Sequence, residues 1–249
     1  MRLQYSTWPD VASYLEKHSG VIIPIGSTEQ HGPTGLIGTD ILCPELIAWE
    51  ISAQQGVMVA PSLSLGSAQH HMAFAGSMTL RPSTMMAMII DVVNSLAVHG
   101  FTHFFFLNGH GGNIAPIQAA FAEIHTQAML YGGRRAHCCL QNWWKGNEVT
   151  KLIKALYGDA EGSHATPSEI ALSYLVCSDK HTLEMQKVLS PEIAEKRLDF
   201  QHGYHYRERF PDGRMGSNPQ LATLEHGKQF LSASVKDTFE AYQDFLKQD

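Results

Sequence analysis

Apolar residues follow two different spacings along the chain, and these predict alternating strands and helices. Short apolar runs that are rich in β-branched or aromatic residues, and that end at glycine or polar residues, predict buried strands. They cover residues 21–25, 57–60, 103–107 and 136–140. Between these runs, apolar residues recur at helical spacing. Strands that alternate with helices predict an α/β fold with a mostly parallel sheet.

The helices are predicted from their end signals as well as from spacing. Thr7 precedes Trp8-Pro9-Asp10, and proline near the first helical position is typical of a helix start. Thr166 and Glu169 have capping-box spacing, which predicts another start at Pro167. Other helices are predicted over residues 41–53, 82–99, 113–131 and 222–247. The last has Leu224, Leu231, Val235, Phe239, Tyr242 and Leu246 on its predicted buried side, and residues 200–213 are predicted to be an irregular surface or subunit-contact segment.

The first strand is followed by a glycine-rich loop, residues 26–40, that holds Glu29, His31 and Asp40. These are metal-ligand types, and a carboxylate can bridge two cations. Ligands of α/β proteins bind at the carboxyl ends of strands, where this loop lies. A polar loop is the alternative, in which Asp40 caps the next helix while Glu29 and His31 are solvated. The Glu-x-His pair alone does not decide between the two.

A second glycine-rich loop, residues 108–113, follows the strand at 103–107 and places His110 at the same edge of the sheet. The alternative is a phosphate cradle at a helix N-terminus, formed by Gly109 to Gly112. The lysine and the spacing of a P-loop are missing, which disfavours that alternative.

Three further segments carry candidate residues for which a structural role is the alternative. The loop 65–80 holds adjacent histidines, of which His71 is the second, and loops of this kind often line sites. A tryptophan pair ending at Trp144 walls a pocket or packs in the core. Glu169 at a helix start needs no metal to explain it. His164, just before that helix, is harder to explain as a structural residue.

Composition and charge indicate how many domains to expect and which kinds of partner are disfavoured. The 249 residues suit one domain, over residues 1–249. A net charge of −6 disfavours nucleic acid or an anionic membrane as partner, and fourteen histidines favour metal chemistry. No apolar run reaches the ~18 residues of a membrane span, and the first residues lack a signal-peptide core, so a cytoplasmic location is expected. The cysteines are interpreted as reduced core residues, namely Cys43, Cys138, Cys139 and Cys177.

Four motifs, in order along most of the chain, resemble the creatininase, or creatinine amidohydrolase, family. They are Gly26-Ser-Thr-Glu29-Gln-His31-Gly32 with Gly38-Thr-Asp40, Asn108-Gly-His110-Gly-Gly-Asn113, His164-Ala-x-x-x-Glu169, and Gly213-Arg-Met-Gly216 with Ala222-Thr-x-x-x-Gly227. The resemblance implies a three-layer α/β/α sandwich and hydrolysis of a C–N amide bond, often cyclic, in a small molecule. It also implies two divalent metal ions per chain, with zinc as first choice and manganese or iron as alternatives, and a homo-oligomer, commonly a hexamer.

The resemblance also assigns roles to residues. The implied metal ligands are Glu29, His31, Asp40, His110 and Glu169, with Asp40 as the bridge. Glu169 completes the second site, because creatininases proper carry a Glu two residues after the His of the second motif and this chain has Gly112 there. The implied catalytic residues are His164, which carries a proton from an activated hydroxide to the leaving nitrogen, and Glu169. The residues expected to contact substrate are His71, Ser77, Gly111 and Trp144.

Creatininases proper also place a Trp and a catalytic Glu shortly before the His of the third motif, where this chain has Ala160 and Ser163. Creatinine is therefore not the expected substrate, and other members deformylate a formamidopyrimidine or trim a peptide in cofactor biosynthesis. A nucleophilic serine is disfavoured because no Gly-x-Ser-x-Gly elbow is present. The alternative from another class is a non-catalytic small-molecule or metal-binding protein that keeps the fold.

Overall fold

The computed structural model describes residues 1–133, 135–176, 189 and 202–247, and its centre is a parallel sheet. The strands lie in the order β1 (Gly20–Ile25), β2 (His103–Asn108), β3 (His137–Asn142). Ile25 pairs with Asn108, and Asn108 with Asn142, so the three carboxyl ends lie at one level. The loops that follow β1 and β2 therefore start side by side.

Helices cover both faces of the sheet. Those in the described part of the chain are α1 (Trp8–Leu15), α2 (Thr39–Gln55), α3 (Pro82–His99), α4 (Ile114–Tyr131), α5 (Asn147–Leu156), α6 (Pro167–Ser173), α7 (Gly203–Arg209) and α8 (Leu224–Phe245). None of these helices combines the length and the apolar character that a membrane crossing needs. Both predicted starts are confirmed: Thr7 precedes α1 and Thr166 precedes α6, each in a capping box, of which the one at Thr166 was predicted.

Two hydrophobic cores, one on each face, give the predicted α/β/α sandwich. Phe104 and Phe106 of β2 face the core formed with α3 and α4, while Phe105 faces the core formed with α2, α5 and α8. Cys138 packs against the first core and Cys139 against the second, which confirms that they point to opposite faces. Cys43 is also a free, buried thiol, and Cys177 lies outside the described residues.

The predicted strand at residues 57–60 is wrong, although the segment does run beside β1. It makes only isolated parallel bridges, from Val59 to Ile22 and from Leu63 to Ile25. The amides of Ile22 and Gly26 donate to Met58 and Leu63, and the position between those donors is Pro24, which has no N–H. The missing donor interrupts the ladder.

Two predictions near the C-terminus need correction. Residues 203–209 form α7 instead of irregular chain, and residues 200 and 201 of that predicted segment lie outside the described residues. Of the residues predicted on the buried side of the last helix, Leu224 is exposed and Leu246 is an exposed residue just after the end of α8. Phe230 and Phe245, which are outside that predicted set, are buried. Helix α8 packs against α2, α5 and α6, so its buried surface is wider than one apolar stripe.

The first turn of α2 lies between the two loops that leave β1 and β2. A Cβ atom at Gly26 would lie 2.3 Å from the backbone carbonyl oxygen of Asp40, and one at Gly109 would lie 1.8 Å from that same oxygen. The side chain of Asn113 joins the loops by donating to the carbonyl oxygen of Gly26 at 2.9 Å. Glycine at both positions thus allows the backbone of Asp40 to approach both strand ends.

Candidate metal centre

Three carboxylates and two histidines converge at this edge of the sheet. Asp40 lies at the middle, with Oδ1 2.9 Å from His31 Nε2 and Oδ2 2.9 Å from His110 Nδ1. On one side, Glu29 Oε1 is 3.3 Å from His110 Nδ1. On the other side, Glu169 Oε2 is 4.0 Å from His31 Nε2. The five predicted ligands therefore form one cluster.

The cluster divides into two ligand sets that share Asp40. The first set is Glu29, Asp40 and His110, and the second set is His31, Asp40 and Glu169; in each, the ligand atoms lie within 4.8 Å of one another. One carboxylate with an oxygen in each set is the arrangement expected of a bridging ligand. These two sets are called the first and the second cation site below.

The alternative of a solvated polar loop is wrong. Glu29 and His31 have no exposed surface, and Asp40 is 4% exposed. Asp40 is not the helix cap either, because α2 begins at Thr39, after Gly38, and Asp40 lies inside its first turn. The carboxylates of Glu29 and Asp40 lie next to His110. Their negative charge would repel a phosphate bound by the loop at residues 108–113.

The donor set fits divalent cations. Glu29 Oε1 and Asp40 Oδ2 are buried and make no hydrogen bond to any described residue, although His110 lies close to both. Buried carboxylate oxygens without partners are rare because their desolvation costs free energy. Among the described ion pairs, none joins Glu29, Asp40 or Glu169 to Lys or Arg. Cations are the partners that this geometry lacks.

The charges in the cluster perturb one another strongly. Burial raises the pKa of Glu29 to about 8, and nearby Asp40 adds to the rise. Burial would also raise the pKa of Asp40, but the positive charges of His31 and His110 hold it well below its usual range. Burial lowers the pKa of His31, yet the charge and hydrogen bond of Asp40 outweigh this and raise it to about 10. Without metal ions, protonated histidines thus neutralise the negative charge of Asp40, a role that bound cations would take over.

His164 stacks between His31 and His71, with ring centroids 4.6 Å and 4.3 Å away. Burial, together with the charge of His31, lowers the pKa of His164 to about 3, so its ring is neutral. Its Nδ1 lies 3.9 Å from Glu29 Oε1, and the residue after it, Ala165, has a φ of 54°. Glu29, His31 and His164 form a third group of possible ligands.

Gln30 sets the tautomer of His71 through its side-chain amide and that of His164 through its backbone carbonyl. Its Nε2 donates to His71 Nδ1 at 2.9 Å and to the Gly213 carbonyl at 3.0 Å, so no amide proton is left for His164 Nε2, which also lies 2.9 Å away. His164 Nε2, 2.8 Å from the backbone carbonyl of Gln30, is therefore the donor in that contact. An unprotonated Nδ1 of His164 is left facing the cluster, where it can accept a proton.

Glu169 has both of its anticipated roles in the geometry. Its Oε1 accepts from the backbone N–H of Thr166 at 2.5 Å, which confirms the predicted capping box. Its Oε2 faces His31 in the second cation site. The cap and the possible metal contact therefore use different oxygens of one carboxylate.

A cavity of about 400 Å³ opens onto the cluster. Its lining includes Gly111 and Trp144 of the predicted substrate residues, together with His164 and Glu169. Trp143, the other member of the tryptophan pair, is buried in the core.

The other two predicted substrate residues lie elsewhere. His71 is buried with its Nε2 3.2 Å from Glu29 Oε1, and Ser77 Oγ accepts from the N–H of Gln30 at 3.1 Å. Neither is among the described residues that line the cavity. Both instead contact the Glu29 loop.

Sequence reasoning missed several residues that build the site. Gln30 lies between two predicted ligands, and only its contacts show its role. Tyr206 packs against His71 and donates to the Gly213 carbonyl at 2.9 Å. Glu161 lines the cavity, and burial, together with the charge of Glu169, raises its pKa to about 7. No motif or spacing indicated Tyr206 or Glu161.

Known proteins with similar sequences are hydrolases. A mycofactocin precursor peptide peptidase from Mycobacterium ulcerans is 27% identical over 253 residues, covering 93% of this chain and 84% of the relative. A 3-dehydro-scyllo-inosose hydrolase from Thermotoga maritima is 28% identical over 256 residues, covering 98% of this chain and 80% of the relative.

The fold and the family agree with the motifs. A solved structure named "Creatininase Mn" has a TM-score of 0.85 at 20% identity and covers 98% of this chain and 97% of its own, which shows that the two share a fold. The creatininase family profile, described as creatinine amidohydrolase, matches residues 4–242. Since that match includes all four motifs and both cation sites, the chain belongs to the creatininase family.

Proposed function

We propose that this protein hydrolyses a C–N amide bond, possible substrates including cyclic amides, in a small molecule that binds in the 400 Å³ cavity beside two divalent cations. The observation that carries the proposal is the pair of buried carboxylate oxygens, Glu29 Oε1 and Asp40 Oδ2, for which the described residues offer only histidine nitrogens as partners. Relatives named as a peptidase, an inosose hydrolase and a creatinine amidohydrolase support hydrolysis, and only the first and last names point to a C–N bond.

The first cation site would use Glu29, Asp40 and His110, and the second would use His31, Asp40 and Glu169. Zinc is our first choice, with manganese or iron as alternatives. Solved creatininases named as "Creatininase Mn" and as a "Zn-Zn type" mutant support zinc and manganese.

The crowding around Gly112 supports Glu169 as the second-site carboxylate. A Cβ atom at Gly112 would lie 2.4 Å from the carbonyl oxygen of Ser67 and 2.5 Å from His110 Nε2. A glutamate at that position, as in creatininases proper, does not fit this loop conformation. Glu169 reaches the same cluster from α6.

Two divalent cations bound here would lower the pKa of a water molecule and polarise the carbonyl of the amide. Asp40 orients both sites, because its two oxygens face different ligand sets. His164 would take up at its free Nδ1 the proton that the activated water gives up, and return it to the leaving nitrogen. Because burial lowers its pKa to about 3, the ring would hold that proton only briefly before releasing it. Gln30 keeps His164 Nδ1 unprotonated through the contact with His164 Nε2.

Creatinine is not the proposed substrate. Ala160 and Ser163 stand where creatininases proper carry a Trp and a Glu. The side chains that a substrate in the cavity would contact instead include the half-buried Trp144 and the carboxylate of Glu161.

Metal content per chain tests the proposal, measured by elemental analysis on protein purified without chelator. We expect two ions in the wild type and none in a His31→Ala, Asp40→Ala double variant. The matched control is His125→Ala, Asp91→Ala, which changes exposed residues of α4 and α3 and should keep both ions. The same samples are then assayed against a panel of linear amides and lactams.

Either of two results would contradict the proposal. Absence of metal after reconstitution with Zn²⁺, Mn²⁺ or Fe²⁺ would remove the dinuclear centre. Two ions without turnover of any amide or lactam would favour a non-catalytic binding protein.

We also propose a homo-oligomer, with a hexamer as the expected form, because the family resemblance implies one. Light scattering coupled to size-exclusion chromatography measures the mass directly. A monomeric mass across the micromolar range would contradict this.

A further inference from the structure

Glu161 is a half-buried residue with one buried carboxylate oxygen, and the proposed reaction does not use it. It ends the 3₁₀ turn Gly158–Glu161 and lines the cavity. Its Oε1 accepts a hydrogen bond from Ser168 Oγ, and its Oε2 is buried without a hydrogen bond to any described residue. Burying a carboxylate oxygen without a partner costs free energy, which a structural or functional role of Glu161 has to offset.

A series of hydrogen bonds links Glu169 to Glu161 through Thr166 and Ser168, and each donor in it points toward Glu161. A serine hydroxyl has a single proton, and that of Ser168 goes to Glu161. We therefore assign Ser168 as the acceptor in its 3.2 Å contact with Thr166 Oγ1, a hydroxyl that also lies beside the Glu161 carboxylate. With its proton directed to Ser168, Thr166 Oγ1 presents lone pairs to the N–H of Glu169, 3.3 Å away.

At its other end, this series of hydrogen bonds holds the Glu169 side chain in place. Thr166 N–H donates to Glu169 Oε1, which leaves Oε2 directed toward His31 in the second cation site. Helix α6 has only seven residues, and Glu169 lies in its first turn. Its orientation therefore depends on the capping box more than on the helix.

We propose that Glu161 is a positioning residue that acts through Ser168 and Thr166 on Glu169 and sets the affinity of the second cation site. The inference rests on the proposed function, because Glu169 has to be a ligand of that site. The first site contains none of these four residues and should be unaffected. Partners behind metal ligands typically change affinity by about 10–100-fold, and we expect a factor of that size.

The test measures Zn²⁺ affinity at both sites by competition with a chromogenic chelator. Glu161→Ala and Ser168→Ala should each weaken one of the two ions about 10–100-fold and leave the other unchanged. Glu161→Gln should recover most of the loss, because its amide oxygen still accepts from Ser168. Glu225→Ala, an exposed glutamate in the first turn of α8, is the matched control and should change neither ion.

A second readout separates positioning from a general loss of structure. The d–d absorption of bound Co²⁺ should change for one ion only, while the unfolding temperature of the metal-free protein stays close to that of the wild type. Equal weakening of both ions would overturn the inference. Ser168→Ala removes one oxygen atom and carries the test if Glu161→Ala does not fold.

Glu169→Gln distinguishes failure of this inference from failure of the proposed function. If Glu169→Gln loses one ion but Glu161→Ala and Ser168→Ala keep both at full affinity, Glu161 is not a positioning residue and the proposed centre stands. If Glu169→Gln keeps both ions, Glu169 is not a ligand, and its positioning by Glu161 is overturned with it.

Discussion

The two sides of the candidate metal centre are built differently. On the strand side, Glu29, His31 and His110 lie on loops that leave adjacent parallel strands and enclose the first turn of α2. On the helix side, His164 and Glu169 lie around Ala165, a non-glycine residue at positive φ, and a seven-residue helix. The sheet fixes the first side, and side-chain hydrogen bonds fix the second.

The exposed fractions of the side chains also differ between the strand side and the helix side. The side chains of Glu29 and His31 have no exposed surface, whereas those of Glu169 and His164 are 14% and 12% exposed. His110, on the strand side, is 10% exposed and lines the cavity together with Glu169 and His164. The helix side therefore contributes more of the cavity lining, and His110 is the strand-side histidine that reaches it.

The largest effect is expected from Asp40→Asn, which removes the charge shared by both sides. We expect both cations to be lost and hydrolysis to fall by at least ~100-fold, since the Lewis-acid chemistry depends on them. Elemental analysis measures the ions, and the rate of amide hydrolysis is measured with a substrate found in the panel of amides and lactams. Asp91→Asn, an exposed residue of α3, is the control, and full metal content in Asp40→Asn would contradict the bridge.

His164→Asn tests the proposed proton transfer on the helix side and leaves Asp40, the proposed shared ligand, unchanged. Loss of a proton-transfer group should lower kcat by about 10²–10⁴-fold while both ions remain bound. His125→Asn, on the exposed face of α4, should have no effect. Loss of an ion from His164→Asn would show instead that His164 is a ligand, in the third group with Glu29 and His31.

Gly109→Ala tests the rigidity of the strand side. Its methyl group would meet the Asp40 carbonyl oxygen at 1.8 Å, whereas a methyl at Gly111 has no atom within 4 Å. We expect Gly109→Ala to lower the free energy of unfolding by about 1–3 kcal/mol, and Gly111→Ala to change it little. Thermal unfolding of the two variants gives the comparison, and equal unfolding temperatures would mean that the loop adapts.

Thr166→Ala should have the smallest effect, and Thr7→Ala is its natural match. Both threonines cap a helix in a capping box, one beside the second cation site and one on α1. Each substitution should lower the free energy of unfolding by about 1 kcal/mol. Only Thr166→Ala should also weaken Zn²⁺ binding, and equal Zn²⁺ affinity in the two variants would contradict the role of the α6 cap.

The strand side was largely predictable from the sequence because its signals are local. Apolar runs marked the strands, and glycines next to Glu29, His31 and His110 marked the loops at their ends. Parallel strands then bring those loops together without further information. The family resemblance added the role of Asp40 as a shared ligand, which spacing alone left open.

The helix side depends on contacts between distant residues, which local patterns do not contain. The side-chain amide of Gln30 donates to His71 and Gly213, and its backbone carbonyl accepts from His164; all three partners are far away in the sequence. Glu161 has no motif of its own. The broken ladder at residues 57–60 has the same origin, because its cause is Pro24 in the neighbouring strand.

The contact of Gly26 and Gly109 with the Asp40 carbonyl also bears on laboratory evolution of new substrates. Substitution at either glycine is expected to push the Asp40 backbone away from the sheet, which would lower stability and displace the carboxylate proposed to serve both sites. The cavity wall formed by Trp144 lies at the margin of a hydrophobic core and not against that backbone. A library that keeps both glycines and varies that wall would search substrate range among chains that still fold.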